Sequence, residues 1–558
     1  MLEADAKIKF EIAQKNFENK NYKKAQELWS EILYYYPKNL SVLRNLALAF
    51  YYDQSLENAV VILKKIIEIN RKEPRALVML ILTLEKQDKI DESKKYIDFG
   101  LKENILDKHW EIKKNLMLPT IFEDLKQIDE SRNCLLKYMQ EELDSNKKVT
   151  LDIDSQLIKP LQFNLSYNQY DNLQLNKNCV NFFRKIYPQL NKVHQLKTSY
   201  NSKVRIGFVS DYLTDHTIGK LFKGIILNLD KNKFDIKIFH TSKTRKGKIY
   251  QDFIDAERNN QVNNFNLPIK FEDKQKIIAN ENLDILFYPE IGLSLDLYYL
   301  SFVRLATYQV TSWGHPETTC IDTLDYFLTS KLIESQNSNK KFSEKLLYAD
   351  FLPMYYYTPV VERGLDIDML SKNNVYSCPQ TLFKIHPEFD LVLGKILEED
   401  KKAKIYFIKD TDNVYYKKLL NRFKKNTKID LNRIEFINGL SWEDYVNHCG
   451  QASVLLDPFY FSAGNSFYES MFYGTPTVTK PTEYTKSRLV LGAYNQMKIE
   501  DAPIVNNVSE YVGKAVEIAN NQKLYDLKKY YKEQAKKNLF ENQFIISNLE
   551  EIFFKIVN

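Results

Sequence analysis

The residues richest in chemistry follow short β-rich runs. In VLLDPFYFSAGNSFYESMFYGTPTVTKP (454–481) a strand leads through a loop into a helix, and Gly464, Asn465 and Ser466 stand where that helix starts. A glycine lets backbone approach a ligand closely, and the amides of a first helical turn lack intrahelical partners, so this turn suits a diphosphate. Glu469, just beyond, is placed to accept hydrogen bonds from ribose hydroxyls. SCPQTLFKIHP (377–387) puts Lys384 in the first turns of another helix, where a cation neutralises a diphosphate without a metal. LSWEDYV (440–446) supplies Tyr445, a ring able to stack on a base. Earlier in the chain, SDYLTDHTIGKL (210–221) sets His216 at a helix start, suited to orienting an acceptor or relaying a proton with Asp211. His315, Glu317 and Thr318 in TSWGHPETTCIDTLDYFLTS (311–330) offer polar groups over the same crevice, and Glu290 in FYPEIG (287–292) is expected to be exposed. Each reading has an ordinary rival. A capped helix explains 464–466, a solvated lysine explains Lys384, a packed core ring explains Tyr445, and a cap explains His216.

Such residues need strands to carry them. From Lys203 on, VRIGFVSDY (204–212), FDIKIFH (234–240), LDILFYPEIG (283–292), LATYQVTSWG (305–314) and TLDYFLTS (323–330) alternate with helical stretches. The pattern restarts at NNVYSCP (373–379) and continues through KIYFIKD (404–410), RIEFING (433–439), ASVLLDP (452–458) and TPTVTKP (475–481). Alternation of this kind indicates two doubly wound parallel sheets. Ligands of such sheets bind beyond the carboxyl ends of the strands, where the residues above lie.

The front of the chain is different. Ala25, Ala59 and Ser93 recur with a period of 34 residues, as do Trp29, Leu63 and Ile97, and Ala13, Ala47 and Ile81. Small residues in one register and large apolar ones in the next let helix pairs pack and stack, and Pro37 ends a helix after Tyr34–Tyr36. The pattern is similar to about two and a half tetratricopeptide repeats, with Asp53 and Gln54 near the usual glycine and Ser93 in place of alanine. An unrelated helical bundle is the alternative. A repeat surface of this kind can hold a peptide or a partner. The stretch IFEDLKQIDESRNCLLKYMQEEL is helical by periodicity, with Ile121, Leu125, Ile128 and 134–136 apolar. The expected organisation is therefore repeats over 1–110, a helical connector over 111–202, one α/β domain over 203–371 on the acceptor side, and a second over 372–558 with terminal helices.

Composition bounds the rest. The 558 residues carry 79 Lys+Arg against 73 Asp+Glu, a net charge of +6, too mild for a dedicated nucleic-acid binder. Cys134, Cys179, Cys320, Cys378 and Cys449 are widely spaced and odd in number, without zinc spacing, so neither a disulfide framework nor a metal site is expected. No apolar run is long enough to span a membrane, and the N-terminus lacks the apolar core of a signal peptide. A cytoplasmic location is the expectation.

Taken in order, VRIGFVSDYLTDH, LDILFYPEIG, WGHPETTCIDTLDYFLTS, CPQTLFKIHP and LLDPFYFSAGNSFYESMFYGTPTVTKP, behind a repeat, resemble glycosyltransferase family 41, the protein O-linked N-acetylglucosamine transferases. The resemblance implies tetratricopeptide repeats followed by a GT-B fold of two Rossmann-like domains. It also implies inverting, metal-independent transfer from a nucleotide sugar, UDP-GlcNAc first, to Ser or Thr of protein acceptors. His216 matches the family's active-site histidine and Lys384 its diphosphate lysine. Gly464, Asn465 and Ser466 lie over the phosphate-binding helix start, where some members carry His-Thr-Thr. Glu469 matches a ribose contact, and Tyr445 and His448 fall where the family holds uracil. Glucose transfer from UDP-glucose to Asn, fucose transfer from GDP-fucose, and an inactive repeat scaffold are the alternatives.

Overall fold

The computed structural model describes residues 3–146, 149–155, 157–159, 161–196, 202–365, 374–425 and 429–558. The chain forms two compact units, residues 1–121 with 410–418, and residues 122–409 with 419–558.

The first unit is a stack of helices, Glu3–Glu18, Tyr22–Tyr35, Leu40–Tyr52, Leu56–Ile69, Pro74–Lys86, Ile90–Lys102 and His109–Leu116. Helix starts at Tyr22, Leu56 and Ile90 keep the sequence period, as do those at Leu40 and Pro74. The registers read from the sequence all point inward: Ala25, Ala59, Ser93, Trp29, Leu63 and Ile97 are buried. Ser93 is tolerated because its hydroxyl donates to the Ile81 carbonyl at 3.0 Å, which pairs the donor that the serine brings into the core. The turn inside each pair needs a left-handed residue. Lys20, Gln54 and Asp88 fill it at φ 62°, 62° and 53°, in the same period, without the glycine that would do so most cheaply.

The second unit holds two sheets. The first contains β1 (Val204–Ser210), β2 (Phe234–His240), β3 (Asn263–Asn266), β4 (Leu283–Tyr288), β5 (Ala306–Ser312), β6 (Tyr326–Ser330) and β7 (Lys345–Ala349). Their order is β3-β2-β1-β4-β5-β6-β7. The second contains β8 (Asn374–Cys378), β9 (Ala403–Ile408), β10 (Ile434–Ile437), β11 (Val454–Leu456) and β12 (Thr477–Val478), ordered β10-β9-β8-β11-β12. Every strand pair in both sheets is parallel. Strands β3 and β7 were not among those read from the sequence. β3 is an edge strand of sequence NNFN with no buried residue, and so carries no hydrophobic signal. The boundary expected at 371/372 lies outside the described residues.

Two further differences concern the connector and the end of the chain. In helix Leu125–Asp144 the buried stripe is Ile128, Leu135 and Met139, whereas Leu125 and Cys134 face solvent. Helix Gln543–Val557 follows the second sheet in sequence but packs beneath the first, Phe553 meeting Phe234 and Phe287 with ring centroids 6.3 and 6.0 Å apart. Glu550 on that helix accepts from Asp230 N at 2.8 Å and pairs with Lys233 at 2.9 Å. Among the described residues all five cysteines are free, and no helix is long and apolar enough to cross a membrane.

Phe553→Ala removes a fully buried ring from the first sheet's core, and thermal or denaturant unfolding should show a loss of roughly 3–5 kcal/mol.

Candidate active site

A cavity of about 750 Å³ lies between the two sheets of the second unit. Its walls come from the segments after β1, β5, β8 and β11, at the carboxyl ends of the strands.

The wall from the second sheet begins at Asp457, one residue past β11. Its buried carboxylate accepts from Ser462 Oγ at 2.7 Å, Ala463 N at 2.6 Å and Thr479 Oγ1 at 2.6 Å. Burial pushes this acid up to about 6. These three bonds close the loop on itself and deliver Gly464 as the N-cap of helix Asn465–Met471. Asn465 Oδ1 accepts from Tyr356 at 2.8 Å, and Ser466 Oγ accepts from Gln380 Nε2. Gln380 is also a partner of Lys384, its Oε1 standing 3.1 Å from the ammonium. Lys384 sits in a 3-10 turn, Leu382–Lys384, ahead of helix Phe389–Glu399 and not inside that helix as the sequence suggested. The lysine is half-buried, 3.5 Å from the Ser462 carbonyl and 4.8 Å from the centre of the Phe461 ring. Among the described residues no carboxylate reaches ion-pair distance of it. Burial pulls its ammonium down to about 8, against the attraction of Asp457.

The opposite wall is helix Thr217–Asn228. His216 is its N-cap, Nδ1 accepting from Ile218 N at 3.3 Å, and its ring stacks on Tyr212 at 4.4 Å. With Nδ1 an acceptor, the neutral imidazole carries its proton on Nε2, so its other ring nitrogen is a donor. Burial first, then Lys220 and Arg245, hold this histidine down at about 4, so it is neutral at pH 7. Lys220, one turn along, pairs with Glu469 Oε1 at 2.6 Å. Trp442 Nε1 donates to the same oxygen at 2.6 Å, and the Lys220 ammonium lies 5.1 Å over the Trp442 ring. His216, Lys384, Tyr445, Gly464, Asn465, Ser466 and Glu469 all line the one cavity.

Other expected residues lie elsewhere. Asp211 is not in a relay with His216; it accepts from Thr241 and Ser294, tying the loops after β1, β2 and β4 together, and burial pushes its pKa up. His448 is bound through Nε2 to Ser377 Oγ on β8 at 2.8 Å and is absent from the cavity wall, whereas Tyr445 lines it and donates to the Pro379 carbonyl at 3.0 Å. His315, Glu317 and Thr318 are interior and not over the crevice. His315 Nε2 and Glu317 Oε2 both meet Ser166 Oγ, at 2.9 and 2.7 Å. Glu317 also accepts from Asn172 and pairs with buried Lys486 at 2.6 Å. Burial opposes its charge, yet Lys486 wins and holds the carboxyl below its usual value. Thr318 donates to Glu344 at 2.6 Å. Glu290, expected at the surface, is fully buried against Ser210, and burial drives its carboxyl well up. Polar residues after a strand look alike in sequence whether they face a crevice or a neighbouring element.

Several cavity residues were missed. Lys220 shares a helix face with His216 and was legible by spacing. Gln380 was legible only as part of the Lys384 segment. Phe163 and Tyr167 come from the connector and wall the cavity beside Phe383 and Phe461, with Tyr167 4.8 and 4.6 Å from those rings; no pattern marked them. No group of three or more potential metal ligands occurs among the described residues.

No family model matches the chain. Over 273 residues it is 25% identical to a UDP-glucose:protein N-beta-glucosyltransferase of Actinobacillus pleuropneumoniae, covering 48% of this chain and 43% of that protein. Over 398 residues it is 22% identical to a probable UDP-N-acetylglucosamine–peptide N-acetylglucosaminyltransferase SPINDLY of Solanum lycopersicum, covering 66% and 40%. The chain thus spans less than half the length of these relatives. A solved mutant O-GlcNAc transferase from Thermobaculum terrenum superposes with a TM-score of 0.70 at 15% identity, covering 99% of this chain and 97% of the other. The chain is similar to glycosyltransferases that modify proteins, and it shares the fold of the solved transferase. Its two sheets have the GT-B arrangement that the sequence blocks implied. Across the crevice Lys220 pairs with Glu469, and in the interior away from it Lys486 pairs with Glu317.

Lys486→Met leaves the Glu317 carboxylate buried without its cation, and thermal unfolding near neutral pH should register a loss of roughly 3–5 kcal/mol. Pairing it with Glu317→Gln should recover part of that loss.

Proposed function

We propose that this chain transfers a sugar from a UDP-sugar to a side chain of a protein or peptide, with inversion, using Lys384 where other enzymes recruit a divalent cation. The observation that carries the reading is Lys384 itself, a half-buried cation whose near partners are neutral oxygens. Such a charge is poorly solvated until an anion joins it. Gly464 and Ser466 stand on the same wall, and Gln380 links Ser466 to the lysine. The printed activities of the relatives, protein glucosylation and peptide N-acetylglucosaminylation from UDP-sugars, support the same reading.

Charge sets the mechanism. As the anomeric bond breaks, negative charge grows on the departing UDP, and a cation and amides already aimed there stabilise that state more than the bound donor. A lysine held at about 8 also gives up a proton more readily than a free one, so it can hand one to the leaving phosphate. The acceptor attacks the opposite face of the sugar. His216 donates from Nε2 and so orients an oxygen of the donor or acceptor; it does not begin as the base. Glu469 binds the ribose once Lys220 yields its oxygen, and Tyr445 lies beside the base. GlcNAc delivered to Ser or Thr is the donor and acceptor pair favoured here, with the repeats presenting the acceptor protein in a cytoplasmic setting. Glucose delivered to Asn is the second reading, favoured by the Actinobacillus relative.

Mass spectrometry of host proteins after co-expression should find an added hexosamine on Ser or Thr; an added hexose on Asn selects the second reading, and no added sugar defeats both. Lys384→Ala should lower transfer by about a hundredfold or more while UDP binding stays measurable, and unchanged turnover ends the leaving-group role. UDP affinity should weaken as pH rises through about 8, because the cationic form of Lys384 is lost there, and calorimetric titration of Lys384→Ala should lack that decline.

A further inference from the structure

The connector lends two rings to the catalytic cavity, and their spacing explains how. Phe163 and Tyr167 in FNLSY (163–167) stand four residues apart, across the short helix Gln162–Leu165 and the turn after it, so they share one face. Their ring centroids are 5.3 Å apart. Phe163 lies 5.3 Å from Phe383, and Tyr167 lies 4.6 Å from Phe461. Phe461 lines the cavity yet is only 7% exposed, and the Lys384 ammonium stands 4.8 Å from its centre. Tyr167 is therefore one ring removed from the cation, backing the ring that the ammonium faces.

The other face of the same segment is anchored. Leu165 and Ser166 are buried. Ser166 Oγ donates to the Glu317 carboxylate at 2.7 Å, and so accepts from His315 Nε2 at 2.9 Å. The ring of that histidine lies 6.2 Å from Phe461. Glu317 is held in turn by Lys486 at 2.6 Å and Asn172 at 2.7 Å, and Asn172 also donates to the Leu165 carbonyl at 3.1 Å. The residue just before Tyr167 is thus fixed by a buried polar network, which leaves the tyrosine ring pressed on Phe461.

Solvation decides what the rings do to the lysine. A cation over an aromatic face gains attraction from it, but an apolar cover also excludes the water that would stabilise the charge. Exclusion is the larger effect here, since burial pulls the ammonium from 10.5 down to about 8 in spite of the attraction of Asp457. The titratable groups acting on it are Asp457, which burial pushes up to about 6, and Cys378, whose thiol burial also pushes up. His315, behind Phe461, is held down at about 4 by burial and is neutral.

We propose that Tyr167 is a positioning residue for Lys384: it presses Phe461 over the ammonium and keeps water out, and the Ser166–Glu317–Lys486 bonds hold it there. The consequence for transfer rests on the role proposed above for Lys384. The connector then belongs to the leaving-group site and sets how strongly the lysine demands an anion.

Competitive acetylation of the ligand-free full chain across pH, read at Lys384 by mass spectrometry, reports the midpoint of the ammonium without any turnover. Tyr167→Ala should move that midpoint up by about one pH unit or more and weaken UDP binding at pH 7 severalfold. Tyr167→Phe, which keeps the ring, should keep the parent midpoint. Ser166→Ala should move it the same way by less, and decides the matter if the ring variant does not fold. In a Lys384→Ala background, Tyr167→Ala should leave UDP affinity unchanged, because it acts through the lysine. A lower melting temperature with an unmoved midpoint overturns the proposal, as does an equal shift in Tyr167→Phe. A midpoint that moves as expected, beside unchanged turnover in Lys384→Ala, ends the leaving-group role and leaves the placement of Tyr167 standing.

Discussion

An ammonium group among neutral oxygens and an aromatic face governs the catalytic half of this molecule. Lys384 is kept from water by Phe461 and kept from carboxylates by the course of the chain around it. Removing a charge from water is costly, and a protein usually offsets that cost with a counter-ion of its own. Here the acid whose charge acts on it is Asp457, whose oxygens are already bonded to Ser462, Ala463 and Thr479. The site therefore holds an unmet electrostatic demand, and a diphosphate meets it. Keeping the lysine cationic while its loop stays rigid requires β8 and β11 to be neighbours, which the order of the second sheet provides.

The opposite wall follows a different rule. His216 spends one nitrogen capping its helix, which fixes its ring and its tautomer together. Tyr212 stacks behind it, and Asp211 anchors the same loop to Thr241 and Ser294 without touching the imidazole. Buried polar groups of this kind give position and not proton transfer. The same division holds at Glu317, whose carboxylate joins the connector, through Ser166 and Asn172, to Lys486 of the second half. Rigid surroundings and an under-compensated cation are complementary, because a soft cavity would collapse onto the lysine.

Much of this was legible in the residues alone. Strands β1, β2 and β4 are mostly apolar, broken by Arg205, Asp235, Lys237 and Asp284 near their starts, and the repeat registers carry small and large side chains at fixed spacing, so burial selects both directly. The cavity residues Lys384, His216, Gly464 and Glu469 stood out because strand ends in parallel sheets are where ligands meet the backbone. What failed was depth. Whether Glu290 or Glu317 faces water depends on neighbours far away in the chain, Ser210 for the first and Ser166, Asn172 and Lys486 for the second, and nothing local records it. The aromatic wall of Phe163 and Tyr167 failed for the same reason, since the connector that carries it has no period. Edge strand β3 was missed because solvent, not the core, sets its composition.

The closing helix, Gln543–Val557, has a consequence for biosynthesis. The first sheet leaves the ribosome long before the residues that finish its underside, and until they arrive Phe234 and Phe287 lack Phe553. The early lobe must wait, partly bare, for helix Gln543–Val557. Its maturation therefore lags the synthesis of its strands, and chaperone dependence would concentrate there and not in the later lobe.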